Sequence, residues 1–194
     1  MLSFLKNIID KNTEWKYGVL SGYLDEKGTL LDFGCGDLSL SLKIMSQHPR
    51  INLTGVDVVD FSPKPQGIRF VKYDGMTLPF DDRTFDTVIA FHVFHHCDSP
   101  EFAYSECLRV AKKRVIFVEP IFRLAIERYS MGCIDWLSNV WKSEKIPLTY
   151  QFHSDTEWIE IIGKKKCEQL RTEVLNNWLS FLPFGVASVY EIYK

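Results

Sequence analysis

The sequence predicts an α/β fold built on a mostly parallel sheet, and three features point to it. Short apolar runs alternate with stretches of helical period. Each of the first four runs ends in polar or small residues. The first, residues 30–33, turns through Gly34-Cys35-Gly36 into a new helical pattern. Strands separated by helices become parallel neighbours because a parallel pair needs a crossover connection. A Gly-x-Gly turn after a buried strand lets the chain reverse tightly and lets a ligand touch the main chain.

Residues 2–24 carry Leu5, Ile8, Ile9, Trp15, Val19, Leu20 and Tyr23 near a helical period, predicting one or two amphipathic helices in an amino-terminal segment that closes by residue 27. The first strand follows. Residues 38–45 are apolar at 38, 40, 42, 44 and 45 and are read as helix from their place after the glycine turn. A second strand, 51–56, ends in Asp57, about twenty residues beyond the glycines, the separation at which a βαβ unit offers a carboxylate to a ribose diol. Ser62-Pro63-Lys64-Pro65 breaks the chain before a third strand at 68–71, and Asp81-Asp82-Arg83 turns it before a fourth at 85–91. Ser99 is an expected N-cap with Pro100 at the first helical position, for a helix reaching about Ala111. Residues 114–118 form the fifth strand. Residues 121–150 hold Trp136, Trp141 and several aliphatic residues at helical spacing, a pattern that also suits ordinary core. Ser154 and Glu157 then make a capping box for a helix over 154–162. Residues 170–175 and 186–193 are the last strands, joined through Asn-Asn-Trp and Leu-Pro-Phe-Gly.

With 194 residues, the chain suits one well-buried domain. A formal charge of −2 gives no electrostatic reason to expect nucleic acid, and Lys164-Lys165-Lys166 reads as a solvated helix end. No apolar run reaches the roughly 18–20 residues of a membrane span, and the amino terminus lacks a signal-peptide pattern, so a soluble cytoplasmic protein is expected. Five cysteines, at 35, 97, 107, 133 and 167, are odd in number and lack a Cys-x-x-Cys pair, as expected of reduced thiols rather than a disulfide framework or a zinc site. No metal is expected.

Asp32-Phe33-Gly34-Cys35-Gly36, Gly55-Val56-Asp57, Asp74-Gly75-Met76 with Leu78-Pro79-Phe80, and Phe85-Asp86 leading to His95-His96 resemble, in order and spacing, the class I S-adenosylmethionine-dependent methyltransferases, most closely the type 11 small-molecule subgroup. The match covers roughly residues 28–120. The resemblance implies a Rossmann-like three-layer α/β/α sandwich with a seven-stranded sheet whose last strand is antiparallel. It also implies S-adenosylmethionine as cofactor, S-adenosylhomocysteine as product, a small-molecule acceptor, and an insertion at 121–150 covering the substrate.

The resemblance carries roles onto matching residues. Asp57 would accept from the ribose hydroxyls, which suits a group with acceptors and no competing donor. Gly34 and Gly36 would let the methionyl part approach the main chain, Cys35 would contact the cofactor or serve as a small apolar filler, and Asp32 would orient the loop or contact the ammonium. Asp74 would lie near the adenine amino group, with Gly75 and Met76 offering backbone and apolar contacts; Val58 would also bind the cofactor, and Phe91 and His92 would line it. Trp15, Lys16 or Tyr17 would approach its carboxylate from the amino-terminal helix. His95, His96 and Glu119 are the catalytic candidates, with His153 behind them, because an imidazole near neutral pKa can take a proton from a hydroxyl acceptor. One departure stands out. Leu38 occupies the place of a commonly found third glycine, where a branched side chain is expected to crowd the methionyl part or shift the helix start. Two readings therefore stay open beside methyl transfer: a cofactor-retaining fold with another reaction, and a non-catalytic partner subunit with a degenerate pocket. Ser39 breaks the Gly-x-Gly-x-x-Gly fingerprint of a nicotinamide enzyme.

Overall fold

The computed structural model describes residues 2–61, 65–139, 149–163, 169–176 and 186–194. The expectations for residues 62–64, Trp141, Lys164-Lys165-Lys166, Cys167 and the link over 177–185 lie outside them. The elements run α1 (Leu2–Ser21), β1 (Lys27–Phe33), α2 (Ser39–Gln47), β2 (Arg50–Asp57), β3 (Arg69–Lys72), β4 (Phe85–Phe91), a short 3-10 turn (Phe94–His96), α3 (Pro100–Val110), β5 (Ala111–Pro120), α4 (Ala125–Asn139), α5 (Asp155–Gly163), β6 (Gln169–Asn176) and β7 (Val186–Tyr193).

All strands join one sheet in the order β3-β2-β1-β4-β5-β7-β6. β1 to β5 pair in parallel, whereas β7 runs antiparallel to both β5 and β6, as expected for the last strand. From β1 the chain winds outward to β2 and β3, then returns to place β4 on the other side of β1. The loops leaving β1 and β4 therefore diverge and open a crevice at the carboxyl ends of these strands, where ligands of open α/β sheets bind.

Strand periodicity divides the core between two faces. Leu31, Phe33, Val88, Val115, Phe117 and Tyr190 pack with Tyr104 and Leu108 of α3 and Trp158 and Ile162 of α5. Their alternates Leu30, Leu53, Ile89, Ile116 and Val118 pack with Leu20 of α1 and Leu40 and Ile44 of α2. Period-two side chains on strands make one sheet serve both helical layers. Helix starts follow the sequence signals. Ser99 Oγ accepts from Phe102 N at 3.3 Å with Pro100 in the first turn. Ser154 Oγ accepts from Glu157 N at 3.3 Å while Ser154 N donates to Glu157 Oε2 at 2.7 Å.

At the opposite rim of the sheet a buried ion pair ties β5 to β7: Arg114 Nη1 lies 2.7 Å from Glu191 Oε1, and Arg114 Nη2 lies 3.0 Å from Asp25 Oδ1. Asp86, one of the motif residues, also belongs to this rim. Its Oδ2 accepts from Thr29 N at 2.9 Å and from Thr29 Oγ1 at 3.0 Å, fastening the start of β4 to the start of β1, and these bonds hold its carboxyl below the usual range.

Removing one partner of a buried pair strands the other charge. Arg114→Ala is expected to lower unfolding free energy by about 3–5 kcal/mol, while Arg114→Met combined with Glu191→Leu costs much less. Urea denaturation of the two variants checks this, and equal losses would contradict it.

Candidate functional site

The crevice is built from backbone first. Gly34 N and Cys35 N donate to Val56 O at 2.8 and 3.2 Å, so the loop leaving β1 is laid across the end of β2. Gly34 (φ 70°) and Gly36 (φ 54°) take left-handed conformations natural to glycine. A Cβ on Gly34 would come within 2.5 Å of the Val93 methyls, so this loop fits directly against the loop leaving β4. A Cβ on Gly36 would meet nothing within 4 Å, leaving room for a ligand above its main chain. Cys35 is buried beside Gly55 as a small apolar filler.

Asp57 holds this loop. Its Oδ2 accepts from Gly36 N at 2.8 Å and its Oδ1 from Val59 N at 2.9 Å. A carboxylate oxygen can accept more than one hydrogen bond, which is the property a ribose diol would use. Asp32 sits deeper, 2 % exposed, accepting from Ser41 Oγ at 2.5 Å. Burial pushes its carboxyl up to about 6, against the pull of the Ser41 bond and the Lys16 charge. Its role here is to anchor α2 beneath the loop.

Leu38 corrects an expectation. It keeps the left-handed backbone that a glycine would give (φ 65°), and α2 begins directly after it at Ser39. Its side chain turns inward instead of toward the crevice and is buried over Gly55, where an added Cβ would lie 2.6 Å from Leu38 Cδ2. The bare α-carbon of Gly55 makes the space that Leu38 fills. A left-handed non-glycine residue costs about 1–2 kcal/mol, which burial of a leucine offsets.

Beside Asp57, Tyr73 N donates to Asp57 O at 3.1 Å, and the turn after β3 lies against Val58, whose Cγ1 would be 3.4 Å from a Cβ on Gly75. Asp74 accepts from Met76 N at 2.9 Å in an Asx turn; Asp74, Gly75 and Met76 are all exposed. The following Leu78-Phe80 stretch is held by two α3 residues that sequence reasoning missed. Glu106 Oε2 accepts from Leu78 N at 2.9 Å, and Arg109 donates to Phe80 O at 2.8 Å and Leu78 O at 3.0 Å. Their i,i+3 acid–base spacing on a helix was the available signal.

On the β4 side, Trp15 of α1 meets Phe91 edge-on at 5.4 Å, and Lys16 Nζ lies 5.3 Å above the Phe91 ring. Tyr17 is turned away, its hydroxyl 3.1 Å from His48 Nε2 of α2. His92 has a left-handed backbone (φ 56°), fixed by donation from its N to Val118 O at 2.8 Å. His92 Nε2 is buried without a hydrogen-bond partner among the described residues, and desolvation, reinforced by the Lys16 charge, holds this imidazole well below its ordinary pKa and therefore neutral. Strained backbone and an unmatched buried polar atom at one residue are features that concentrate at functional sites.

Glu119, fully buried at the end of β5, accepts from Val93 N and Phe94 N at 2.7 Å each and lies 2.6 Å from His95 Nδ1. His95 stacks on Phe152 at 4.9 Å and lies 4.1 Å from the half-buried His96. His153 is engaged elsewhere, donating to Gln151 O at 2.8 Å and packing on Trp158. Burial pushes the Cys97 thiol up to about 12, which leaves it unreactive at neutral pH.

The raised Asp32 pKa predicts a pH effect. A carboxyl whose folded pKa lies above its unfolded value favours the fold below about pH 4, and that contribution is lost as pH rises through about 6. Relative to Asp32→Asn, the wild type should lose roughly 3 kcal/mol of stability between pH 4 and 7. Urea midpoints across that range check it, and parallel curves would contradict it.

Comparison with known proteins agrees with this geometry. Residues 31–118 match the methyltransferase domain family. A sterol 24-C-methyltransferase of Gibberella zeae is 32 % identical over 99 residues, which cover 45 % of this chain and 26 % of that protein, so the chain spans about a quarter of its relative's length. Magnesium protoporphyrin IX methyltransferase from Synechocystis, solved with bound S-adenosylhomocysteine, superposes with a TM-score of 0.63 at 17 % identity, covering 95 % of this chain and 82 % of that one. The [4+2]-cyclase SpnF superposes at 0.67 and 17 %, over 95 % and 80 %. Over residues 31–118 the chain is thus similar to the methyltransferase domain family, and its fold is similar to that of solved methyltransferase structures.

Proposed function

We propose that the chain transfers the methyl group of S-adenosylmethionine to a small-molecule acceptor through an oxygen, nitrogen or carbon atom. The observation that carries this reading is the Gly34–Gly36 loop, pinned by Asp57 and open above Gly36. These residues fit the cofactor: Asp57 for the ribose diol, the Gly34, Cys35 and Gly36 backbone for the methionyl part, Val58, Asp74, Gly75 and Met76 for the adenine, and Phe91 and His92 as lining. Of the α1 residues, Lys16 suits the cofactor carboxylate, because its ammonium already stands over Phe91. When bound, S-adenosylmethionine supplies a methyl group activated by its sulfonium and leaves as S-adenosylhomocysteine.

What the protein must add is alignment, which can contribute up to about 7–11 kcal/mol, and a destination for any proton the acceptor loses. Glu119 and His95 suit a positioning role: one carboxylate holds two backbone N–H groups and one imidazole, shaping the turn that follows β4. His96, half-buried beside them, is the imidazole suited to receive a proton, whereas His92, held neutral by burial, suits the lining of the crevice. A cytoplasmic setting is part of the proposal, supported by free Cys35, Cys97, Cys107 and Cys133; among the described residues no helix is long and apolar enough to cross a membrane.

Calorimetric titration tests the reading. Micromolar binding of S-adenosylmethionine and S-adenosylhomocysteine is expected, weakened roughly ten- to a hundred-fold in Asp57→Ala, the equivalent of about 1.5–3 kcal/mol. Binding without S-adenosylhomocysteine formation across an acceptor panel would favour a different reaction on the same cofactor. Failure of the folded protein to bind either compound would favour a partner-subunit role.

A further inference from the structure

The two opposite sides of α4 meet different surroundings. Glu127 and Met131, one turn apart, are buried against the domain, and Glu127 is spent there, its Oε2 accepting from Arg123 N at 2.6 Å and Leu124 N at 3.1 Å. On the other side Ile126, Tyr129, Cys133 and Trp136 recur at i, i+3, i+7 and i+10, a spacing that lines up one stripe. That stripe faces solvent: Ile126 is 71 %, Tyr129 75 % and Trp136 48 % exposed, and Leu124, just before the helix, is 62 % exposed. Among the described residues these four account for nearly half of the large hydrophobics left in solvent, gathered within thirteen positions. Exposed apolar side chains scattered singly need no explanation; a contiguous stripe does.

The charges beside it indicate what covers the stripe. Arg123 and Arg128 are exposed and the intervening Glu127 is turned inward, so the described charge on the first turns is positive, with Glu157 of α5 the acid that feels the Arg128 charge. Aliphatic side chains with a tyrosine and a tryptophan along one line, flanked by arginines, make a face suited to the headgroup boundary of an anionic bilayer. There aromatic rings bury their bodies and keep a polar tip wet.

The stripe is also coupled to the crevice. α4 follows β5, whose end carries Glu119, and the bridge between Ile121 and His153 closes the base of the insertion. Tyr150 packs on Gly132 of α4, Gln151 N donates to His95 O at 3.1 Å, Thr149 Oγ1 donates to the same oxygen at 2.8 Å, and Phe152 stacks on His95. A continuous run of contacts thus leads from α4 to the turn after β4.

We propose that the outward face of α4 docks on an anionic lipid surface and sets the crevice beside it, so that the methyl acceptor is an apolar molecule drawn from the bilayer. The second half rests on the methyl-transfer reading. Docking is measured without cofactor, so the two fail separately.

The test is flotation of the full chain with vesicles of phosphatidylcholine alone or mixed with phosphatidylglycerol. The wild type should float with the mixed vesicles and lose that association at high salt. Ile126→Ser, Tyr129→Ser and Trp136→Ser combined should lose more than about tenfold in vesicle affinity. All three positions are exposed, so its thermal midpoint and S-adenosylhomocysteine affinity should match the wild type. Arg123→Gln with Arg128→Gln should lessen the preference for phosphatidylglycerol. Wild type remaining unbound with both vesicle types overturns the proposal. So does a wild-type dimer, seen by light scattering, that the triple variant abolishes, because the face would then be a contact between copies of this chain.

Discussion

The crevice depends on one carboxylate accepting two backbone N–H groups. Asp57, at the last position of β2, bonds Gly36 on one side and Val59 on the other. The loop leaving β1 has few alternatives once Gly34 and Cys35 are also committed to Val56 O. A loop that must let a ligand lie on its main chain cannot be stabilised by side chains of its own, so its restraint has to come from the neighbouring strand. Charge-assisted bonds to a carboxylate, roughly twice as strong as neutral ones, suit that task.

The opposite wall repeats the device. Glu119 at the end of β5 holds Val93 and Phe94 as Asp57 holds Gly36 and Val59, each acid reaching from one strand to the loop of its neighbour. The two restrained loops then meet where Gly34 fits against Val93, a contact that admits no larger residue at 34. Two buried or nearly buried acids and one glycine thereby set the width of the crevice. Both Glu119 oxygens and His95 Nδ1 are engaged in this wall, which is the ground for proposing that they position rather than react.

Much of this was legible in the sequence. The strands and helices announced themselves through period, caps and Gly/Pro punctuation, and Asp57 through its distance from the glycines. The rest was hidden for physical reasons. The direction of the Leu38 side chain depends on the empty space over Gly55, seventeen positions away, and that is a packing fact rather than a motif. His92 was expected to line the cofactor, but neither its left-handed backbone nor the lack of a partner for its Nε2 among the described residues leaves a trace in composition. Tyr17 and Lys16 are adjacent, yet one bonds His48 and the other stands over Phe91, a choice made by the rotation of α1 on the sheet. The outward stripe of α4 was visible as helical spacing, but only tertiary structure separates a stripe that enters the core from one that leaves it.

The most direct test of the central claim is a crystal structure with S-adenosylhomocysteine bound. The account predicts that the Asp57 carboxylate keeps its bonds from Gly36 N and Val59 N while accepting the ribose hydroxyls, with the methionyl chain lying over Gly36 and Leu38 still buried against Gly55. A ligand seated elsewhere, or a loop that releases Asp57 and turns Leu38 outward on binding, would contradict it.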